Sequence, residues 1–295
     1  MKSTITAVFL FMQYWVFSQS FTEKINKELM FEKKGVNNAL LIANINGSVT
    51  VTGYDGEKIM VEVTRTIKAK TPERLENAKA HIRLGFLDRA DTLIFYTEGL
   101  CSRFGKTSKK KGDWTHKNGW GYLWSEGKDD CDEKADYSFD YVVRVPKSVN
   151  LLVSTVNQGD LKIENVAGGV VANNVNGSIE LTGLSREASA HTINGDVDIS
   201  YEKNPQKPCR FYTLNGDINA WFQKGLAAEL SFESFNGELY TNVNGLESLP
   251  VQMEKESTKN GVKYKINGNR FKIGAGGVLL DFETFNGNVY LKEKI

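Results

Sequence analysis

The sequence predicts an all-β chain: a parallel β-helix or β-solenoid of coils about 18–21 residues long, with one short helix and one irregular insert. Three observations predict it. A short sentence recurs: ANINGSVTV at 43–51, STVNQGDLKI at 154–163, NNVNGSIEL at 173–181, HTINGDVDI at 191–199 and YTLNGDINA at 212–220. ESFNGELYT at 233–241 and ETFNGNVYL at 283–291 complete the set. Its spacing is near constant, 18 residues from Gly159 to Gly177 and from Gly177 to Gly195, then 21 to Gly216 and 21 to Gly237. Independent hairpins need not keep a period, whereas stacked coils must. Finally, apolar residues alternate after each glycine, as at Val197 and Ile199, which marks strands with one buried face.

The Asn-Gly pair therefore reads as a corner within a coil. Glycine suits it because positive φ is open to a residue without Cβ. Equivalent strands would stack in parallel at about 4.8 Å. Asn176, Asn194, Asn215, Asn236 and Asn286 would pass amide hydrogen bonds from coil to coil as a ladder. The residue before each Asn is apolar, so the inward set is expected to shift phase there, with Ile193, Val197 and Ile199 in the core.

In chain order, residues 1–18 read as a cleaved secretory signal, or else as an uncleaved N-terminal anchor: Lys2, an apolar run from Ile5 to Phe17, and a cleavage-like Val16-Phe17-Ser18. Residues 19–295 form one domain. Ala39 to Ile67 holds two or three strands around the first corner. Thr71 caps a helix that starts with Pro72 and ends near His81. Ile82 to Thr97 reads as a strand pair turning at Asp88 to Asp91. An insert covers about 100–138, and Asp140 to Val145 is a strand closed by Pro146. A hairpin interruption at about 246–273, placed at Val262 to Ile273 around Asn267-Gly268, precedes the last corner.

Tyr141-Val-Val-Arg-Val-Pro146, then LLVSTVNQGDLKIENVAGGV, the repeated corners and the closing GAGGVLLDFETFNGNVYL resemble a bacterial "putative adhesin" domain family of unknown function. The resemblance covers most of the chain outside about 100–138. It implies a β-solenoid and an exported or envelope-attached protein. It implies no binding residues, because it rests on a repeat grammar and a fold does not name a function.

Charge gives no global attraction to nucleic acid, since 37 basic residues face 36 acidic ones. No apolar segment beyond the signal is long enough to span a bilayer. Histidines 81, 116 and 191 show no metal-ligand spacing, and no nucleophile elbow is present. Gly274-Ala275-Gly276-Gly277 precedes a strand, where a phosphate loop needs a helix. No cofactor and no enzyme activity are expected.

Binding chemistry concentrates in the insert. Trp114, Trp120 and Trp124 with Lys109, Lys110 and Lys111 could stack on sugars or meet anionic glycans, or else pack as an ordinary loop. Its acidic end, Asp129 to Glu133, lacks the spacing of a calcium loop. Cys101 and Cys131 could pair and leave Cys209 over, or all three could be free. The acids after the corner glycines, Asp160, Asp196, Asp217 and Glu238, read as solvated charges in preference to a cation site. The expected role is a non-enzymatic adhesion or scaffold module in the periplasm, on the outer-membrane surface or outside the cell. Its expected partners are envelope glycans or surface proteins, with oligomeric state left open. The alternatives are a carbohydrate-binding protein using the Trp-rich insert and, further off, a glycan-active enzyme.

Overall fold

The computed structural model describes residues 19–33, 35–99, 102–105, 122–124, 134–251, 253–258, 261–266 and 269–294. The signal assigned to 1–18 lies outside them. The described chain is all-β with one helix. Two large sheets carry the core, one of 10 strands and one of 11, beside two separate strand pairs.

Each Asn-Gly repeat contributes one strand to each large sheet. Coil 1 is Ala39–Ala43 with Val49–Tyr54, coil 2 Asn150–Ser154 with Leu161–Glu164, and coil 3 Val170–Asn173 with Ile179–Leu184. Coil 4 is Ala188–Asn194 with Val197–Tyr201, and coil 5 Cys209–Asn215 with Ile218–Phe222. Coil 6 is Ala228–Asn236 with Leu239–Thr241, and coil 7 Val278–Asn286 with Val289–Glu293. Coils 1 to 5 stack in chain order, all in parallel register. The expected succession then breaks. Coil 7 lies on coil 5, and coil 6 lies outermost on coil 7.

A parallel β-helix does not describe the whole, because both sheets are mixed and neither closes. Ile59–Ala69 runs antiparallel to both its neighbours, Gln19–Leu29 and Ala135–Pro146, at the start of the 10-stranded sheet. Arg83–Asp88 and Thr92–Glu98 pair antiparallel at the start of the other. Of these, only Arg83–Asp88 and Thr92–Glu98 are consecutive and joined by a short link, which an antiparallel pair permits; the three longer strands pair across intervening segments of the chain.

The helix Pro72–His81 packs against this end. Thr71 accepts a hydrogen bond from the Arg74 amide at 3.3 Å, and Leu75 and Ala78 face the core. Buried Arg65 donates to the Lys79 carbonyl at 2.6 Å near the helix's last turn, where a cation is favoured.

Between the sheets, Val197, Ile199 and Tyr201 of coil 4 lie over Ile218, Ala220 and Phe222 of coil 5, all fully buried. Tyr201 and Phe222 stack at 5.1 Å, and Phe211 and Phe282 meet at 5.2 Å. Alternation places one residue of every pair inside, and equivalent side chains pile up along the stack.

The interruption also differs from its expected form. Gly261–Ile266 does not pair with Asn269–Ile273 around Asn267-Gly268. It pairs with Met253–Thr258, with Met253 opposite Ile266. Asn269–Ile273 pairs instead with residues 228–232 of coil 6 and with Leu246–Ser248. Burial decides the choice, since that pairing sets Ile273 into the core and an isolated hairpin would leave it in water.

Candidate binding face

The corner motif is consumed in contacts between coils. Its small polar residue points inward. Thr155, Asn174, Thr192, Thr213 and Thr284 are all buried. Each donates to a corner glycine carbonyl of the coil below. The distance is 2.8 Å from Thr192 to Gly177 and from Thr213 to Gly195, and 3.2 Å from Thr284 to Gly216. Buried carbonyls need such partners.

The corner asparagines form a second column. Nδ2 of Asn176 donates to Oδ1 of Asn157, Asn194 to Asn176, and Asn215 to Asn194, each at 2.8 Å. The column continues in spatial order, Asn286 to Asn215 and then Asn236 to Asn286, again at 2.8 Å.

A third column lies after the glycine. The Asp160 carboxylate accepts from the Ser178 amide at 2.7 Å, Asp196 from the Asp217 amide at 2.8 Å, and Asp217 from the Asn288 amide at 2.7 Å. Glu238 accepts instead from the Tyr240 hydroxyl at 2.7 Å. Ser178 and Asn288 interrupt the line of acids, which dilutes its repulsion. The glycines are needed mainly for close approach. A Cβ on Gly177, Gly195 or Gly216 would come within 2.2–2.4 Å of the carbonyl oxygen below. Gly177 keeps no positive φ, so φ alone does not explain the column.

Ile193 is not in the core. Thr192 takes the inward position, so the residue before the Asn points out, as it does in coils 2 to 7; in coil 1 the equivalent Ile45 is buried. Val156, Val175, Ile193 and Leu214 form a partly exposed row on the 11-stranded sheet. Phe285 and Phe235 extend it, stacked at 4.7 Å with rings 3° from parallel, and 44% and 73% exposed. Strict parity from Ala190 and Thr192 would have revealed the row. The phase shift inferred at the corner falls one residue later.

Beside that row run Asn173, His191, Tyr212, Glu283 and Glu233. His191 meets Tyr212 edge-on at 4.5 Å, and Arg210 bridges Glu283 at 2.8 Å and Asp281 at 3.5 Å. Burial holds the His191 imidazole below its ordinary value; Arg210 adds to this and Glu283 opposes it. The face is an apolar stripe between an amide column and a polar row.

An open groove of about 630 Å³ follows the coil connections, with Tyr54, Asp55, Lys147, Asn165, Glu202 and Lys294 among its walls. Its lysines are engaged, Lys147 with Asp55 at 2.9 Å and Lys294 with the Tyr201 carbonyl at 2.6 Å. Among the described residues no three His, Cys, Asp or Glu side chains are placed to hold a metal ion. Cys209 is a free, buried thiol 3.2 Å from the Tyr201 hydroxyl, and burial raises its pKa, which keeps it protonated and inert.

Of the insert's candidates, Lys109, Lys110, Lys111, Trp114 and Trp120 lie outside the described residues, as do Cys101 and Cys131. Trp124 ends a three-residue strand, Tyr122–Trp124, whose backbone pairs with Ser102–Phe104.

Residues 140–272 match the family model Toastrack DUF4097. Over that stretch the chain is similar to the Toastrack family. The Toastrack match takes in coils 2 to 6 and stops before coil 7, although coil 7 sits inside the stack. Among solved structures, the chain is similar to a "putative cell adhesion protein" from Clostridium sporogenes. The two share 10% identity over 93% of this chain and 100% of that one, with a TM-score of 0.46. A "putative adhesin" from Bacteroides fragilis shares 9% identity over 92% and 97%, with a TM-score of 0.35. A "putative lipid binding protein" from Parabacteroides distasonis shares 9% over 92% and 97%, with a TM-score of 0.21. No curated protein matches the chain. No helix among the described residues is long and apolar enough to cross a membrane.

Proposed function

We propose that the protein is a non-enzymatic module of the cell envelope or surface. Its β-solenoid core serves as a scaffold, and it holds a partner on the outer face of the 11-stranded sheet. One observation carries this reading: the stripe from Val156 to Phe235 is apolar, faces out, and ends in two stacked, exposed rings. Exposed Phe235 costs free energy in water and contributes nothing to the core, so contact with a partner is what it can add. The polar residues of the motif are occupied by coil-to-coil hydrogen bonds, which fits a scaffold. Export through the segment 1–18 belongs to the same reading.

The test is binding of the purified protein to whole cells and envelope fragments, compared with a Phe235→Ser/Phe285→Ser variant. The variant should lose binding by roughly tenfold or more at unchanged thermal stability. Equal binding by both proteins overturns the reading. The glycan alternative places the contact at Trp114, Trp120 and Trp124, supported by their interleaving with Lys109, Lys110 and Lys111. Replacing the three tryptophans with Ala should then abolish retention on envelope polysaccharide, and intact retention rejects it.

A further inference from the structure

Coil 7 reaches its slot by crossing over a neighbour. The strand Asn269–Ile273 pairs antiparallel with one edge of coil 6, residues 228–232. The first strand of coil 7 pairs parallel with the opposite edge of that same strand. Only Gly274, Ala275, Gly276 and Gly277 join the two. These four residues must carry the chain across two strand spacings, roughly 9.6 Å. Three are glycines with φ of +57°, +76° and +130°, and the Gly276 amide closes a turn onto the Ile273 carbonyl at 3.0 Å. A link of four residues is short for such a crossing, and a short hinge invites exchange of the segment it carries with another molecule.

The slot accepts any coil of the right grammar. Toward coil 5, coil 7 offers the Asn286 side-chain amide, the Thr284 hydroxyl and the Asn288 backbone N–H. Toward coil 6 it offers Asn286 Oδ1, the Gly287 carbonyl and Asn288 Oδ1. None of these contacts depends on coil 7 belonging to the same chain. Coil 6 follows coil 5 at the 21-residue spacing that also separates coils 4 and 5, so its length lets it lie directly on coil 5 until a donated coil 7 enters between them.

We propose that coil 7 is exchanged between two copies of this chain. Each copy donates residues 278–293 into the other's slot between coils 5 and 6. Every coil 7 contact survives the exchange, and only residues 274–277 change, from an arch over coil 6 to an extended link. This inference stands apart from the adhesion reading and does not need it.

A cysteine pair separates the two arrangements. Phe235→Cys/Phe285→Cys replaces exposed rings that stack at 4.7 Å, in a background with Cys101→Ser and Cys131→Ser. Within one molecule the disulfide closes a single chain. After exchange it joins two. Oxidised protein refolded over a range of concentrations should give a covalent dimer on non-reducing gels, its share rising with concentration. Deleting Gly276 and Gly277 leaves too little chain for the arch and should raise that share roughly tenfold. Cross-linked monomer alone at every concentration overturns the proposal, whether or not the deletion variant folds. A dimer by light scattering that runs as cross-linked monomer on the gel overturns it as well.

Discussion

Thr213, buried in coil 5, donates its hydroxyl to the carbonyl of Gly195 in coil 4 at 2.8 Å. The bond is hidden from water, so its loss leaves a carbonyl without that partner. Thr213→Val keeps the shape and should cost about 1–2 kcal/mol in urea unfolding, while Thr213→Ser should cost less. Equal stability of Val and wild type would show that the inner column contributes nothing.

Gly216 has no room for a side chain. A Cβ there would stand 2.2 Å from the Gly195 carbonyl oxygen. Gly216→Ala should cost about 3 kcal/mol or more, because backbone must move against backbone. Gly225 is the control: its φ is +80° and a methyl group there would meet nothing within 4 Å, so Gly225→Ala should cost about 1–2 kcal/mol. Melting temperatures of the pair decide the order.

Asp198 sits partly buried beside the Asn219 amide, which donates to it at 2.9 Å. Burial raises its pKa and the amide opposes the rise. A carboxyl raised on folding contributes stability below its unfolded pKa, about 3.9, and loses it as pH climbs through the folded value. At neutral pH the charge is therefore a cost. Asp198→Asn should stabilise the protein at pH 7, with the advantage fading below about pH 4. A pH series of urea midpoints checks this.

His191 has the opposite sign. Its pKa is lowered on folding, chiefly by burial. Stability is full above the unfolded value of about 6.5 and falls as acid drives the proton onto the ring. His191→Gln should flatten the loss of stability on acidification below that value. An unchanged slope would place the acid sensitivity elsewhere.

Local signals were legible where they were self-sufficient. Thr71-Pro72 caps the helix because its chemistry needs only the next few residues. The corners are visible because each coil repeats the same three polar positions. Their order in space is not written in any one of them. Coil 7 can sit on coil 5 because Thr284, Asn286 and Asn288 offer what Ser234, Asn236 and the Glu238 amide also offer. Equivalent rungs carry no address, so chain order alone suggests the wrong neighbour.

Asn242-Val243-Asn244-Gly245 makes the same point. It repeats the spelling of Asn174-Val175-Asn176-Gly177, yet it builds no further corner. Asn242 instead clamps the backbone of Glu293, accepting from its amide at 2.7 Å and donating to its carbonyl at 3.2 Å. Among the described residues no coil lies beyond it to receive the ladder, and the motif makes this contact instead. The outward row was harder to read, because an apolar residue at a strand position suggests core. Only the parity of the buried threonine beside it shows that Phe235 and Phe285 face water.

The placing of coil 7 has a mechanical consequence. A terminal coil stacked at the end of the array could be peeled off one rung at a time by a pull on residue 294. This one is wedged, with parallel strands of coil 5 on one side and coil 6 on the other. Tension along its strands loads both seams together in shear, so the rungs must fail collectively. A chain held by its C-terminal end would resist force far better than its equilibrium stability suggests, and would yield last where an unguarded edge would tear first.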